Sequence, residues 1–412
     1  MGRGRRGLLG ALAASLMLSG CWTQIGFGPG QRRYNPYEQG ITAANVATLA
    51  PLWTVERPGR ISEPVLAGGR VHFAHNPQPP GSPSFEALDA GTGETVWSRT
   101  LPSTPIFTLA NGVTFSGNEL LGGYATTSEA ALLRLDPETG ATLDQDDDFV
   151  ASPVVAGDGV LAYARLGTAY DRVLVVRDST SHTGLWTLDV PDSGILSFAI
   201  ADGRIYVLTP TRLAAYPVAG CGGAACPPLW QDNLAADETY QAMAAGPDGT
   251  VVTTTTFRWI DYFHIKTADP SRVKMRDGAT GGTVWSGGVT AATGSLAVDD
   301  DYVYVASSHV INDSGQPVGI DRLVAYAVDG CGNEGCNPQW SAPLPGPPDT
   351  PLVGGGVVYT NVGNDLYALD TDGSPLATFP GVGTPRSLGE GRLYTTTGEA
   401  GGTTLRALAP VS

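Results

Sequence analysis

The chain has 412 residues, a formal net charge of −16 and only two lysines, Lys266 and Lys274. Because a nucleic-acid-binding surface needs clustered positive charge, this composition argues against that class of protein. Glycine (55 residues) and proline (31 residues) are abundant without a collagen period. That balance is typical of many short strands joined by turns, and all-β chains often exceed the usual size of a domain.

The amino terminus has the pattern of an export signal. Arginines at three of the first six positions precede an apolar run, residues 8–18, that is too short to span a bilayer. The run leads into Leu18-Ser19-Gly20-Cys21, which resembles the bacterial lipobox. That resemblance implies that Cys21 is the first mature residue and carries a lipid. An ordinary cleaved signal with an incidental cysteine is the alternative.

Residues 1–20 are therefore predicted to be a lipoprotein signal peptide. The mature protein is expected to be exported and anchored through lipid to the outer face of the cell membrane. Residues 21–44 are rich in Gly, Pro, Gln and Arg, which favours a flexible tether between the lipid and the folded part.

A repeated unit begins near residue 45. Residues 87–97 suggest a short strand, a tight Asp/Gly turn and a second strand that ends on Trp97. Weaker copies follow at steps of roughly 40 to 55 residues, the spacing of propeller repeats. Eight positions end such a unit: Trp53, Trp97, Leu143, Trp186, Trp230, Trp285, Trp340 and Phe379.

Four short strands in each unit predict one antiparallel blade. A single blade cannot bury both of its faces, so the units must stack. We predict an all-β, eight-bladed β-propeller over residues 45–412, with seven blades or a row of β-sandwiches as alternatives. The last unit supplies three strands between residues 385 and 408, and residues 52–55 supply the missing fourth strand. Their pairing would close the ring and remove two exposed edges.

The pattern Ala-x-Asp-x-x-Thr-Gly-x-x-x-Trp, clearest in residues 87–97 and weaker in residues 275–285, resembles the repeat of the PQQ-like (quinoprotein-type) β-propellers. The resemblance covers residues 45–412. In that family the Gly and Trp of the repeat dock neighbouring blades. This implies a structural role for six tryptophans: Trp53, Trp97, Trp186, Trp230, Trp285 and Trp340.

Four further cysteines form two close pairs, Cys221 with Cys226 and Cys331 with Cys336, at the same place in repeats 4 and 6. An exported chain is in a compartment that permits disulfides, so we predict these two bonds. A shared zinc site is disfavoured, because a whole blade separates the pairs and a tetrahedral site needs bonds of about 2.3 Å.

No catalytic constellation is recognisable. There is no zincin motif, no nucleophile elbow and no phosphate-binding loop. The acidic runs 146–148 and 299–301 fit solvated turns better than a calcium loop, so no metal ligand and no catalytic residue is predicted, and cofactor-binding residues stay unidentified. The first strand of each unit should face the central channel, near Ser62, Thr104, Ser152 and Thr384.

The resemblance implies two branches of function. Quinoprotein dehydrogenases hold the quinone over a tryptophan and use calcium, a catalytic Asp and a disulfide between adjacent cysteines. This chain has no adjacent cysteines. The other branch, the outer-membrane assembly propellers, is lipid-anchored, lacks the cofactor and acts through protein contacts. We expect a lipid-anchored, non-enzymatic binding or scaffold module with an unidentified partner and no cofactor. The alternatives are a PQQ- and calcium-dependent dehydrogenase and a cell-wall glycan binder or sensor.

Overall fold

The structure is a computed structural model. It describes residues 21–78, 81–103, 108–126, 129–166, 172–190, 194–222, 226–235, 238–257, 271–290, 292–311, 316–332, 334–399 and 401–411. The predicted signal peptide and Thr104 lie outside these ranges. Among the described residues, no helix has the length and apolar character needed to cross a membrane.

The fold is a ring of eight four-stranded antiparallel blades, as the repeat predicts. Strands are counted in each blade from the channel outward. Blades 1 to 4 contain Arg60–Ile61 with Val65–Ala67, Arg70–Asn76, Ser84–Asp89 and Thr95–Thr100; Thr108–Ser116, Glu119–Thr126, Ala130–Leu135 and Thr142–Asp146; Val155–Gly157, Val160–Leu166, Arg172–Asp178 and Gly184–Val190; and Ser197–Ala201, Arg204–Leu208, Arg212–Pro217 and Trp230–Asn233.

Blades 5 to 8 contain Glu238–Ala245, Thr250–Phe257, Ser271–Asp277 and Thr283–Val289; Ala292–Val298, Tyr302–Ser307, Arg322–Ala327 and Trp340–Pro343; Leu352–Gly354, Val357–Val362, Asp365–Asp370 and Pro375–Phe379; and Thr384–Gly389, Arg392–Glu399, Gly402–Pro410 and Leu49–Pro58. Short additional elements are Tyr34–Asn35, the turn Val46–Thr48, the turn Pro247–Gly249, the pair Val310–Ile311 and Pro317–Val318, and Glu334–Cys336.

The ring closes through its two ends. Leu49–Pro58 is the outermost strand of blade 8 and pairs antiparallel with Gly402–Pro410, near the carboxyl end of the described chain. The predicted closure is therefore confirmed, with eight blades rather than seven. Because each blade buries its faces against its neighbours, this pairing completes both a sheet and a continuous core.

Each repeat tryptophan contacts the next blade. Trp97 of blade 1 donates from Nε1 to the carbonyl oxygen of Pro137 in blade 2, at 2.9 Å. Its ring covers Gly140, where a Cβ would lie 2.6 Å from Trp97 Cε3 and where φ is +69°. The same bond joins Trp53 to Ala90, Trp186 to Val218, Trp230 to Gly278, Trp285 to Val328 and Trp340 to Thr371.

Two repeat ends differ from those that the spacing indicates. In blade 2 the register places Asp144, not Leu143, where blade 1 has Trp97. In blade 7 the equivalent residue is Ala377, and Phe379 lies two residues farther along the strand. Side chains alternate along a strand, so Leu143 points outward and is 52% exposed.

Both cysteine pairs lie at disulfide distance, with Cα–Cα separations of 5.4 Å for Cys221–Cys226 and 5.6 Å for Cys331–Cys336. Each pair lies between the third and fourth strands of its blade, in blades 4 and 6. In blade 6 this connection also contributes Glu334–Cys336, which pairs parallel with the outer strand of blade 5. The second loop therefore covers part of a neighbouring sheet edge.

The prediction of a flexible tether over residues 21–44 is wrong. Trp22 and Ile41 are fully buried, and Tyr34–Asn35 pairs parallel with the first strand of blade 7. The segment is polar and rich in Gly and Pro, which is why its sequence resembles a linker. Its backbone groups nevertheless find partners on the ring, so it belongs to the same folded body.

Candidate functional site: the central channel

The first strands of successive blades contact one another around the ring and line its channel. Each of these strands is the innermost of its blade, so one row of its backbone N–H and C=O groups faces the channel, and only in blade 7 does a further strand, Tyr34–Asn35, pair with it among the described residues. We call the ring face with the turns between first and second strands the collar face. The opposite face is the open face.

Residues 22–35, which we call the collar, contact these inner edges in blade order. Seven blades donate an inner-strand N–H to the collar, and the eighth accepts a side-chain donor. The pairs are Leu66 N to Trp22 O, Phe115 N to Thr23 O, Ala156 N to Gln24 Oε1, Ile200 N to Pro29 O, Ala245 N to Gly30 O, Val298 N to Arg32 O, Val353 N to Arg33 O, and Asn35 Nδ2 to Leu388 O, at 2.7 to 3.0 Å.

These bonds mean that the collar makes a full circuit of the channel. Every acceptor or donor in the collar meets the end of the first strand just before its turn, so the whole segment lies at one end of the channel. It satisfies edge groups that would otherwise need water. Among the described residues the two ends of the channel therefore differ: the collar borders one end, and no described segment borders the other in this way.

Three aromatic side chains pack against one another at the collar face. The Trp22 ring packs edge-on against Phe27, with centroids 5.4 Å apart, and Phe27 lies 6.4 Å from Tyr37. A turn closed by the bridge between Gln24 and Phe27 brings this ring back toward Trp22. Trp22 is fully buried and Tyr37 is 55% exposed, so the series leads from the core to the surface.

A buried ion pair ties the collar to three blades. Arg33 Nη1 lies 2.8 Å from Glu63 Oε2, and the two side chains are 8% and 10% exposed. Arg33 also donates to the carbonyl oxygens of Pro351 and Pro385. The second oxygen of Glu63 accepts the N–H of Gly26 at 2.9 Å. Both Glu63 oxygens are thus occupied, as a buried carboxylate requires.

Arg386 lies beside this pair on the first strand of blade 8. It occupies a bulge between Pro385 and Ser387, an arrangement that redirects a side chain. Its Nε donates to Thr396 Oγ1 at 2.8 Å, and the part of the chain that the structure describes offers it no ion-pair partner. Burial lowers the pKa of Arg386, against the opposing effect of the Glu63 carboxylate. Its terminal N–H donors are available to a ligand.

Other inner strands have the same irregularity. Bulges interrupt the first strands of blade 2 at Asn111 and of blade 5 at Gln241. Asn111 Nδ2 donates to the carbonyl oxygen of Val150, and the Gln241 side chain is exposed. The channel-facing edges of the blades therefore differ in chemistry, because each bulge carries a different polar residue.

The serines predicted to face the channel accept hydrogen bonds from the backbone of their own blades. Ser62 Oγ accepts the N–H of Ala74, and Ser152 Oγ accepts the N–H of Ala164. Thr384 opens the first strand of blade 8, opposite Thr396. Sequence reasoning missed Arg386, although it follows Thr384 by two residues. The bulge is what sets Arg386 apart from an ordinary residue of this strand, and the hydrophobic pattern of the sequence does not reveal a bulge.

The described residues offer no cluster of side-chain ligands for the calcium ion that the family resemblance implies. They contain no group of three or more His, Cys, Asp or Glu side chains able to hold a metal. In the channel, Glu63 is committed to Arg33 and Gly26. Of the two acidic runs, Asp148 is paired with Arg177 and Asp299 accepts from Tyr304.

A model of the family described as outer membrane protein assembly factor BamB matches residues 35–220. No curated protein matches the chain at a significant level. Similar solved structures include the quinohemoprotein alcohol dehydrogenase of Comamonas testosteroni, with 15% identity, a TM-score of 0.65, and coverage of 96% of this chain and 81% of that one.

BamB from Moraxella catarrhalis is also similar, with 14% identity, a TM-score of 0.57, and coverage of 88% of this chain and 98% of that one. Quinohemoprotein alcohol dehydrogenase ADHIIG from Pseudomonas putida HK5 has 13% identity, a TM-score of 0.64, and coverage of 98% and 82%. At such identities the likeness establishes the fold and not the activity. With the family match over residues 35–220 and the same blade repeated around the ring, the chain resembles the PQQ-like β-propellers in its repeat and in its fold.

Proposed function

We propose that the protein is a lipid-anchored, extracytoplasmic binding module that holds a partner protein at the open end of its channel and is not an enzyme. The observation that carries this proposal is the asymmetry of the channel. The collar borders one end, and beside the collar's Arg33–Glu63 pair the channel holds Arg386, a half-buried guanidinium without an ion-pair partner among the described residues. The match to the BamB family model supports a role in protein contacts.

The chemistry of Arg386 indicates what kind of group it would bind. A guanidinium removed from water, with no carboxylate in ion-pair contact among the described residues, favours an anion, and its planar donors suit a carboxylate. Glu63 does not supply that anion, because Arg33 and Gly26 already hold both of its oxygens. We therefore expect the partner to insert an acidic side chain or a chain terminus into the open end.

The binding site is tested by comparing three forms of the intact lipoprotein in cross-linking pull-downs from membranes. The forms are wild type, Arg386→Gln and Arg99→Gln, a matched change on the exposed outer strand of blade 1. The proposal expects a partner that wild type and Arg99→Gln capture and Arg386→Gln loses. Cross-links that map to outer strands, with equal capture by all three forms, would contradict it.

The anchor is tested separately by labelling cells with radioactive palmitate. Wild type should take up the label, and Cys21→Ala should not, because the acyl group needs the cysteine. A Cys21→Ala protein that still labels would remove the anchor from the proposal and leave the binding site untouched.

A quinone-dependent dehydrogenase is the second candidate, because quinohemoprotein dehydrogenases are among the similar structures. Titration with PQQ and calcium, followed by dye-linked oxidation of alcohols and sugars, decides between the two. Stoichiometric binding with turnover would overturn the non-enzymatic proposal. Binding on a glycan array would instead favour a cell-wall glycan receptor.

A further inference from the structure

We infer that the collar face rests on the lipid surface and that the open end of the channel points away from it. The inference depends on the proposed lipid at Cys21 and goes one step further, because it states which face of the ring meets the membrane. A lipoprotein with a long linker has no fixed orientation. The collar changes that expectation for this chain.

No free chain separates Cys21 from the ring. The next residue, Trp22, is fully buried, and its carbonyl oxygen accepts the N–H of Leu66 in blade 1 at 2.7 Å. A flexible segment of the predicted length would let the ring move by about 25 Å from its anchor. With the collar bound to all eight blades, the lipid is attached to the ring almost directly.

Cys21 lies at the collar face. Its Sγ is 3.7 Å from Glu390 Oε1, and it also contacts Gly68. Gly68 and Glu390 are both exposed, and both belong to turns between first and second strands, in blades 1 and 8. Cys21 itself is buried beneath these turns, so we expect its acyl chains to leave the protein between the two turns of the collar face. The open face lies on the far side of the ring.

Tyr37 provides an independent observation on the same face. Its side chain is 55% exposed and continues the aromatic series from Trp22 and Phe27. A ring with an apolar body and a polar hydroxyl suits the boundary between headgroups and water. A strand of about seven residues spans about 23 Å, so the open end would stand roughly that far above the lipid surface.

The test measures energy transfer from a thiol dye on the intact lipoprotein to acceptor-labelled headgroups in phosphatidylcholine vesicles. One form carries the dye at Glu94→Cys, in an exposed turn of the collar face, and the other at Ile320→Cys, an exposed position at the open face. We expect transfer at least two-fold more efficient from position 94. Equal transfer, or more efficient transfer from position 320, on vesicle-bound protein would overturn the inference.

A matched control inserts a Gly/Ser segment of about 12 residues between Cys21 and Trp22, which frees the ring without removing the lipid. The inserted form should still float with the vesicles, and its two dyes should give similar transfer. Cys21→Ala, in turn, should not float. If wild type also fails to float, the lipid anchor is wrong, and the proposed orientation is wrong with it. A wild-type protein that floats but gives equal transfer from both dyes would contradict the orientation alone.

Discussion

The junction between blades 1 and 2 is held by an aromatic ring on a glycine, whereas the junction between blades 2 and 3 is held by charged groups. At the first junction, Trp97 lies over Gly140 and donates to Pro137. At the second, Asp144 takes the place of the tryptophan and His182 that of the glycine. The backbone geometry is conserved, since His182 also has a positive φ, +59°.

The substitutions at the second junction belong together. Arg134, which pairs with Asp144, stands where blade 1 has Ala87 beneath its tryptophan. Arg134 Nη1 contacts Asp144 at 2.9 Å and Nη2 contacts Glu119 at 2.7 Å, and His182 Nε2 lies 3.4 Å from Glu119. Without an indole ring above the turn, a Cβ is tolerated there. The tryptophan, the glycine and an apolar residue beneath the ring therefore form one unit, although that residue is Val176 under Trp186 and Met275 under Trp285.

A deeper ionic network reinforces the second junction. Arg177 Nη2 lies 2.7 Å from Asp148 Oδ2, and their side chains are 16% and 11% exposed. The Tyr163 hydroxyl donates to the same carboxylate. Burial raises the pKa of Asp148, but the hydrogen bonds from Tyr163 and Arg177 outweigh burial and hold the pKa below its usual range.

The largest expected effect comes from removing the arginine of this network. Arg177→Met leaves Asp148 buried with fewer donors, and loss of one partner of a buried pair should lower the free energy of unfolding by about 3 kcal/mol. Urea unfolding followed by tryptophan fluorescence measures this. The double change Arg177→Met with Asp148→Leu should recover at least half of the loss. A single variant within about 0.5 kcal/mol of wild type would show that the network does not hold the junction.

Gly140→Ala tests the other junction. The new Cβ would meet the Trp97 ring at 2.6 Å and would have to adopt a φ of +69°, so we expect a loss of about 2 kcal/mol. The matched control is His182→Ala, at the equivalent turn position of blade 3, where no ring lies above and the loss should stay below about 1 kcal/mol. Equal losses at both positions would mean that the indole contact is unimportant.

Three substitutions would convert the second junction into the first. Asp144→Trp alone should lower the free energy of unfolding by about 1.5 kcal/mol, because the new ring meets the His182 side chain and Arg134 loses a partner. Adding Arg134→Ala and His182→Gly should restore most of that loss, which a triple-mutant cycle would measure. Additive losses instead of recovery would show that the three positions are independent.

The smallest effect is a local dependence on pH. Arg134 holds the pKa of Glu119 below its usual range through a hydrogen bond, and the pKa of Asp148 is also lowered. A carboxyl with a lowered folded pKa adds stability above its unfolded value, about 4, and that stability is lost as pH falls through the folded pKa. Amide exchange should therefore quicken at blades 2 and 3 in acid before it does at Trp97. Uniform acceleration around the ring would contradict this.

Much of the ring could be predicted from the sequence, because the information is local and repeated. The turn chemistry and the strand alternation recur in every blade, and the incomplete last unit matches the unpaired strand at Trp53. The close spacing of Cys331 and Cys336 likewise brings the pair together within one turn. The register of blade 2 was harder to predict from the sequence, because Asp144 stands where other repeats have an aromatic residue. The apolar Leu143 beside it is the more conspicuous residue.

The class of fold, the number of blades and the closure of the ring therefore follow from the repeat in the sequence. The role of residues 22–35 became visible only in the folded ring, because eight of these residues each bond to a different blade and no periodicity in the sequence records that. The same holds for the channel, where Arg33, Glu63 and Arg386 come from distant parts of the chain. The effect of these charges depends on their burial and on their interactions with one another. Burial and interaction both arise only when the ring is closed.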